Sequence, residues 1–167
     1  YIATQGYASA RIEAWLNPFA TEELFKHDGW QGGNSQIAIG SGGFWGLGLG
    51  QGRQKHLYLP EPQNDFIFSV ICEELGFIGA LLVIFLFVAL LLRGIYVAWH
   101  AKDKFGSMLV VGVIVQVTLQ AVLNIAVVTK TIPNTGISLP FFSSGGTSLM
   151  MLLGEMGIVL SVSRGET

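Results

Sequence analysis

Three long stretches without charge constrain what this chain can fold into. Residues 75–92 contain no charged side chain, and the apolar run extends back to residue 66. Residues 107–129 form a second uncharged run, and residues 147–163 form a third that Glu155 interrupts. About 20 apolar residues are enough for a helix to cross the hydrocarbon core of a bilayer. The sequence therefore predicts an all-α membrane protein with three membrane-spanning helices.

Composition supports this fold class and excludes others. Hydrophobic residues make up 51% of the 167-residue chain and charged residues 12%, about half the charged share of soluble domains. A formal net charge of -2 offers no basic stripe, so we expect no nucleic-acid partner. The chain opens YIATQGYASA, with no initiator Met and no signal-peptide pattern, so we expect it to be a piece of a longer protein.

The expected organisation alternates loops with helices. The connection between the first two runs is short, so those spans should pack as antiparallel neighbours. Lys and Arg beside that connection slightly favour the cytoplasmic side for it. The predicted segments are an extracellular glycine-rich loop region with interfacial helices (1–65), transmembrane helices (66–98, 107–130 and 147–163), a cytoplasmic loop (99–106), an extracellular re-entrant loop (131–146) and a cytoplasmic tail (164–167).

A glycine-rich stretch precedes the first span. In GSGGFWGLGLGQG, residues 40–52, seven of the thirteen residues are glycine. Neither the G-x-G-x-x-G fingerprint nor the G-x-x-x-x-G-K-[ST] loop can be read in it, which excludes the usual soluble phosphate-binding loops. The glycines either let main chain lie close against a bulky ligand or permit tight turns in a long loop.

Asp65 lies where a polar loop enters the first apolar run. A carboxylate at that boundary has less water around it, which favours the uncharged form and suits a general base. The alternative is an ordinary helix N-cap, in which the carboxylate accepts backbone N–H groups. Position alone does not choose between these two roles.

Two adjacent acids, Glu73 and Glu74, follow about two turns into the same span. Ionisable side chains are rare in spans and usually face the bundle interior or a wet cavity. Successive helical residues point about 100° apart, so we expect that the two cannot face the same neighbour. By the same geometry Glu73 is the better placed to share a cavity with Asp65. They either support a site or are structural acids bonded to adjacent helices.

A polar stripe is predicted on the second span. Gln116, Gln120 and Asn124 recur every four residues and so lie on one helix face. Glu155 in the third span has no cation nearby in sequence, and one of these three amides is its expected partner. A stripe of this kind is more often a contact between helices than a substrate path.

The loop before the third span is the remaining unusual feature. In TIPNTGISLPFFSSGGTS, Pro133 and Pro140 prevent a continuous helix. Ser143, Ser144, Gly145 and Gly146 offer free backbone N–H groups just before a helix, a suitable position for an anion. The alternative is a tight extracellular turn without a ligand. A pocket for a substrate with a lipid tail and a charged head would unite these features.

The residues of two stretches resemble the SEDS family (shape, elongation, division and sporulation). The stretches are AIGSGGFWGLGLGQGRQKHLYLPEPQNDFIFSVICEELGFIG and IPNTGISLPFFSSGGTSL, and the first is more similar to the FtsW/SpoVE branch than to RodA. Two departures stand out: the family usually reads Gln-Ser-Leu at residues 34–36 and Ser-Tyr-Gly-Gly at residues 143–146. Here the tyrosine position is Ser144.

The resemblance implies the C-terminal part of a ten-span helical bundle. It further implies an inverting peptidoglycan glycosyltransferase that polymerises lipid II into β-1,4 glycan at the outer face of the bacterial cytoplasmic membrane, in division or sporulation. Asp65 matches the family's essential aspartate, with Glu73 and Glu74 as supporting acids. The substrate-binding residues expected on this basis are Arg53, Gln54, Lys55, Glu61, Ser143, Gly145, Gly146 and Ser148.

Partners and rival functions follow from the same resemblance. A class B penicillin-binding protein is expected to pack its single span on residues 77–98 and 107–129, among membrane lipids. A divalent cation, Mg²⁺ or Mn²⁺, could assist the leaving pyrophosphate, although no ligand set in the sequence assigns one. The rival functions are a lipid II flippase, which would also need a wet cavity and intramembrane acids, and a scaffold without activity.

Overall fold

The computed structural model describes Trp15 and residues 30–52, 65–143 and 145–165. Within these three ranges the chain forms four helices and no strand. They are α1 (Trp30–Gly42), α2 (Ile67–His100), α3 (Lys104–Val128) and α4 (Gly146–Arg164). The all-α class predicted from the sequence is confirmed for these residues.

Three of the four helices, α2, α3 and α4, are long and apolar enough to cross a membrane. Their number agrees with the three uncharged runs in the sequence. The third run was interrupted by Glu155, and the corresponding helix α4 is the least buried of the three, with Leu152 and Val159 as its buried residues. Much of the α4 surface is therefore open to lipid or to other protein.

Helices α2 and α3 form the antiparallel hairpin that the short connection predicted. Asp103 begins α3 as an N-cap, and its carboxylate accepts the Gly106 N–H at 2.8 Å. The two helices share a core that runs along the hairpin, with Val83 and Phe87 of α2 facing Val117 of α3. Burial of this face stabilises the hairpin on which the rest of the described chain packs.

Helix α1 was not foreseen in the glycine-rich region. It packs against α2 and α3, with Ala38 fully buried and the Ser35 hydroxyl donating to the Val128 carbonyl at 3.1 Å. Small side chains let its backbone approach the hairpin closely. The amphipathic stretch predicted upstream lies outside the described residues except for Trp15, whose indole N–H donates to the Lys130 carbonyl at 2.9 Å.

Helix α2 is interrupted at Gly76. This residue has φ 67° and ψ -163°, so residues 67–75 and 77–100 are two helical pieces joined at a break. Such a conformation is essentially restricted to glycine. The sequence predicted one uninterrupted span here, although a glycine two residues after a pair of acids in an apolar run is a signal for an interruption.

Candidate active site

The glycine loop, residues 43–52, docks on the break in α2 through main chain. Leu47 N–H donates to the Glu73 carbonyl at 2.9 Å, and Gly48 N–H donates to the Glu74 carbonyl at 3.0 Å. In the opposite direction the Phe77 N–H donates to the Gly43 carbonyl at 2.9 Å. A broken helix leaves carbonyl and amide groups without intrahelical partners, and such groups are costly in a membrane. The loop supplies those partners.

This contact requires glycine on both sides. A Cβ on Gly46 would overlap the Glu74 carbonyl, and a Cβ on Gly76 would overlap the Gly46 amide nitrogen. Both residues also have positive φ, 76° and 67°. Of the two explanations given above for the glycines, close approach to a ligand and tight turns, neither describes this pair. Here the missing side chains let the loop touch the protein's own helix.

The tip of the glycine loop carries large apolar side chains. Phe44 packs edge-on against Phe77 beyond the break, with ring centroids 5.7 Å apart. Trp45 is 84% exposed and Leu49 is 78% exposed. Aromatic and apolar side chains at the end of a loop suit the membrane–water interface.

Glu73 and Glu74 both reach the glycine loop. A Cβ placed on Gly52 would lie 3.0 Å from Glu73 Oε2 and 3.3 Å from Glu74 Oε1. The expectation that these two side chains cannot face one neighbour is therefore wrong. Although Glu73 and Glu74 leave the helix in directions about 100° apart, both side chains are long enough to reach Gly52 between them. Glu73 is buried, at 1% exposure.

Asp65 lies in the turn before α2 and is half-buried. Its carboxylate faces the proline loop, residues 129–143, where a Cβ on Gly136 would lie 3.8 Å from Asp65 Oδ2. Asp65 therefore lies against one loop and the two glutamates lie against the other. The N-cap position of α2 is Phe66 and makes no side-chain cap hydrogen bond, so Asp65 is not the N-cap residue of this helix.

One buried amide fixes the main chain around Asp65. Asn124 of α3 is fully buried, and its Nδ2 donates to the Asp65 carbonyl at 2.8 Å and to the Ile137 carbonyl at 2.7 Å. The start of α2 and the proline loop are thus joined through one side chain of α3. The sequence placed Asn124 on the polar stripe but did not connect it with Asp65, because residues 59 positions apart give no local signal.

The rest of the predicted stripe is confirmed. Gln120 Nε2 donates to the Ser138 carbonyl at 3.2 Å, and Gln116 Nε2 donates to Glu155 Oε1 at 3.4 Å. Gln116 is thus the partner of Glu155 among the three amides proposed from sequence. Successive turns of α3 therefore hold two successive carbonyls of the proline loop and then the α4 acid.

A cavity of ≈ 200 Å³ with both polar and apolar walls lies beside this stripe. It is lined by Gln116, Gln120 and Glu155 and, from the predicted binding residues, by Ser143 and Ser148. Gly145 is the N-cap of α4 and makes no side-chain cap bond. Gly146 is the first residue of the helix. The Ser148 hydroxyl donates to the Gly145 carbonyl at 2.8 Å. These predicted residues therefore meet at one helix start.

The remaining predicted binding residues, Arg53, Gln54, Lys55 and Glu61, lie outside the described residues. On the described part of the chain, Lys130 is a cation near this end of α3, and partial burial lowers the pKa of its ammonium group. No group of three or more His, Cys, Asp or Glu that could hold a metal ion occurs among the described residues. They therefore give no fit for Mg²⁺ or Mn²⁺.

Comparison with known proteins gives consistent matches along the chain. The family model for FtsW, RodA and SpoVE, described as cell cycle protein, matches residues 1–167. Stage V sporulation protein E of Bacillus subtilis (strain 168) is 51% identical over 158 residues, which are 95% of this chain and 42% of that protein. A probable peptidoglycan glycosyltransferase FtsW of Trichlorobacter lovleyi is 46% identical over 164 residues, 98% of this chain and 42% of that protein.

A solved structure has the same fold. The match is to one chain of a peptidoglycan synthase complex that coordinates polymerization and crosslinking. It has a TM-score of 0.70 and 28% sequence identity. The match covers 93% of this chain and 41% of that chain. The present chain thus spans about two fifths of the length of the relatives that it matches. Because a family model matches it throughout, this chain belongs to the FtsW/RodA/SpoVE family of multi-pass membrane proteins.

Proposed function

We propose that this chain is the C-terminal part of a ten-span peptidoglycan glycosyltransferase that polymerises lipid II. Its relatives include probable peptidoglycan glycosyltransferases named FtsW, at 46% identity over nearly the whole chain. A second relative, at 51% identity, is named for sporulation. The proposed setting is the bacterial cytoplasmic membrane, with the site on its outer side, in division or sporulation.

The observation that carries the proposal is how Asp65 is held. Asn124 bonds the main-chain carbonyl of Asp65 and not its carboxylate, so this bond fixes the backbone at the proposed base. The same amide bonds the Ile137 carbonyl, one residue after the Gly136 that the carboxylate faces. A half-buried carboxylate on a fixed backbone, opposite a residue without a side chain, suits a general base that needs room for a sugar.

The proposed reaction is a direct displacement. Asp65 takes the proton of the 4-hydroxyl of the acceptor's N-acetylglucosamine as that oxygen attacks the anomeric carbon of the donor's N-acetylmuramic acid. The bond from that carbon to undecaprenyl pyrophosphate breaks, and the pyrophosphate leaves with the bonding electrons. An α-linked donor gives a β-1,4 product, which is inversion, so a single base is sufficient and no covalent intermediate forms.

The leaving pyrophosphate needs groups that stabilise its charge. We assign this role to the start of α4, where Gly145 and Gly146 lie next to Ser143 and Ser148, two residues that line the cavity. Arg53, Gln54, Lys55 and Glu61 are proposed to complete the binding of the head group. Glu73 and Glu74 support the site indirectly, since both pack against Gly52 directly before those residues. No step in this mechanism involves a metal ion.

A class B penicillin-binding protein is the proposed partner. The solved relative is a complex that combines polymerization with crosslinking. On α2 and α3 the outward faces are apolar and open, with Phe85 67% exposed and Leu119 55% exposed. A single membrane span could pack on this face without covering Asp65, because the hairpin buries its inner face against α1 and α4.

The test is polymerisation of lipid II by the complete purified protein and its Asp65→Asn variant. The substitution keeps the shape of the side chain and the main-chain bond to Asn124 but removes the base. We expect glycan formation to fall by roughly 10²–10⁴-fold, with unchanged yield and unfolding. Unchanged polymer from Asp65→Asn would exclude the base assignment.

The same preparations separate the rival functions. A flippase predicts transfer of labelled lipid II across vesicle bilayers by the unsubstituted protein and no glycan product. A scaffold predicts no product from either protein, with co-purification of the penicillin-binding protein lost only when the outward faces of α2 and α3 are substituted. Either result would contradict glycosyl transfer by this protein.

A further inference from the structure

A second, larger groove lies at the opposite end of α2 and α3 from Asp65. It has a volume of ≈ 460 Å³ and runs between the last turns of α2 and the first turns of α3. Its walls are mainly apolar and include Ile95, Trp99, Met108 and Val111. Trp99 is 81% exposed and Met108 is 75% exposed, so these side chains are open to whatever fills the groove.

The mouth of the groove is cationic. Lys102 and Lys104 both line it and are both exposed. Asp103 lies between them, but its carboxylate accepts the Gly106 N–H at 2.8 Å as the cap of α3. The negative charge is thus turned toward the helix start, where it offsets the partial positive charge of the exposed amides. Asp103 is itself exposed and lines the groove, so the mouth carries two lysines and one capped carboxylate, with a net positive charge.

A third cation lies at the same end of the hairpin. Arg93 is exposed, and its guanidinium lies 4.9 Å from the centre of the Tyr96 ring, one turn closer to the helix end. The Tyr96 ring stacks on His100 with centroids 4.1 Å apart. Long basic side chains in a span extend toward the interface in this way and keep their charge near water. Arg93 does not line the groove, and it adds to the positive charge at this end of the hairpin.

We propose that this groove binds one anionic glycerophospholipid of the surrounding bilayer. The phosphate lies between Lys102 and Lys104, and an acyl chain follows Ile95, Met108 and Val111 between the helices. The Trp99 ring lies at the level of the ester groups, where indole rings are typically found. The site is separate from the proposed reaction and does not depend on it.

An anionic phospholipid matches both the apolar walls of the groove and the two lysines at its mouth. A soluble anion would use the lysines and leave the apolar walls in water. A second protein span would cover the walls but would leave two lysines at its edge without a counter-charge. A zwitterionic phospholipid fills the groove and carries its own cation, which weakens its attraction to the lysines. Basic pockets between spans at a membrane surface are a known recognition mode for anionic head groups.

The experiment uses the fluorescence of Trp99 in the complete protein. The protein and its Trp99→Phe variant are placed in nanodiscs of phosphatidylcholine that contain an equal fraction of dibrominated phosphatidylglycerol or dibrominated phosphatidylcholine. Bromine quenches indole on contact, so the difference between the two proteins reports the lipid at Trp99. We expect stronger quenching by the brominated phosphatidylglycerol, and the preference should decrease with added salt.

Variants that remove the charge of Lys102 or Lys104 test whether these lysines select the anionic lipid. Lys102→Gln and Lys104→Gln should each reduce the preference by about fivefold, the effect of one basic residue near a membrane surface. Lys130→Gln removes the same charge at the other end of α3 and should leave the preference unchanged. Equal quenching by the two brominated lipids, or a preference that survives in the Lys102→Gln/Lys104→Gln double variant, would overturn the proposal. Absence of quenching by both lipids would also overturn it, since protein would then fill the groove.

Discussion

The two loops that meet the start of α2 are held by different means. The glycine loop bonds to the break at Gly76 through main-chain groups, with donors on both sides of the contact. The proline loop is bonded by side chains of α3, with Asn124 on the Ile137 carbonyl and Gln120 on the Ser138 carbonyl. The contact of the glycine loop leaves no room for a Cβ on Gly46 or Gly76. The contact of the proline loop depends on the side-chain amides of Asn124 and Gln120.

This difference makes the glycine loop rigid and the proline loop adjustable. A main-chain contact between glycines is either formed or lost, because a single Cβ on either side blocks it. A loop held by separate amides can lose one bond and keep the others, so its position can be tuned by single substitutions. It follows that the glycine loop serves as a fixed support, whereas the proline loop sets the surroundings of Asp65.

Substitution of Gly76 by alanine should have the largest effect on stability. The new Cβ would overlap the Gly46 amide and would force alanine into a conformation essentially restricted to glycine. We expect the free energy of unfolding of the complete protein in mixed detergent micelles to fall by about 4 kcal/mol, from backbone strain and lost main-chain hydrogen bonds.

Two further alanine variants separate strain from overlap. Gly43 has φ 55° but open space around a Cβ, so Gly43→Ala adds strain alone, about 1 kcal/mol. Gly112 lies in α3 with open space and helical backbone, and Gly112→Ala should be neutral or slightly stabilising. A Gly76→Ala protein as stable as Gly112→Ala would contradict the rigid contact described for the glycine loop.

Substitution of Asn124 by leucine should have an intermediate effect. The change leaves the partly buried carbonyls of Asp65 and Ile137 without their donor, which costs about 2–3 kcal/mol of unfolding free energy. The carboxylate of Asp65 should also move, so polymer formation in the lipid II assay should fall by on the order of 10²-fold. We expect the loss in kcat rather than in KM, because the substrate contacts remain.

The matched control for Asn124 lies on the same helix. Thr118 Oγ1 is buried without a hydrogen-bond partner among the described residues. Thr118→Val keeps the side-chain shape and removes an unpaired hydroxyl, so stability should be unchanged or higher. If Thr118→Val and Asn124→Leu lowered stability and activity equally, loss of any polar group from α3 would explain the result, and Asn124 would have no special role.

The sequence predicted the parts of this structure that local patterns determine. Three spans followed from uncharged runs, and the stripe on α3 followed from a spacing of four residues. The break at Gly76 was missed because it depends on a loop that docks from outside the helix, and helix α1 was missed because its position depends on packing against α2 and α3. The same holds for Asp65, whose position follows from its motif but whose anchor on Asn124 depends on packing between distant segments.

The smallest expected effect is at the far end of the stripe. Gln116 bonds Glu155 at 3.4 Å on an exposed surface, so Gln116→Leu should cost about 0.6 kcal/mol of unfolding free energy, the average for such bonds between spans. Glu155→Gln keeps an acceptor at the same position and should be nearly neutral, with the Gln116→Leu/Glu155→Gln double variant no worse than Gln116→Leu. A loss of several kcal/mol in Glu155→Gln would mean that the charge itself is needed. In that case the cavity beside the proline loop would depend on an ionised acid, and the contrast between a rigid loop and an adjustable one would no longer hold at α4.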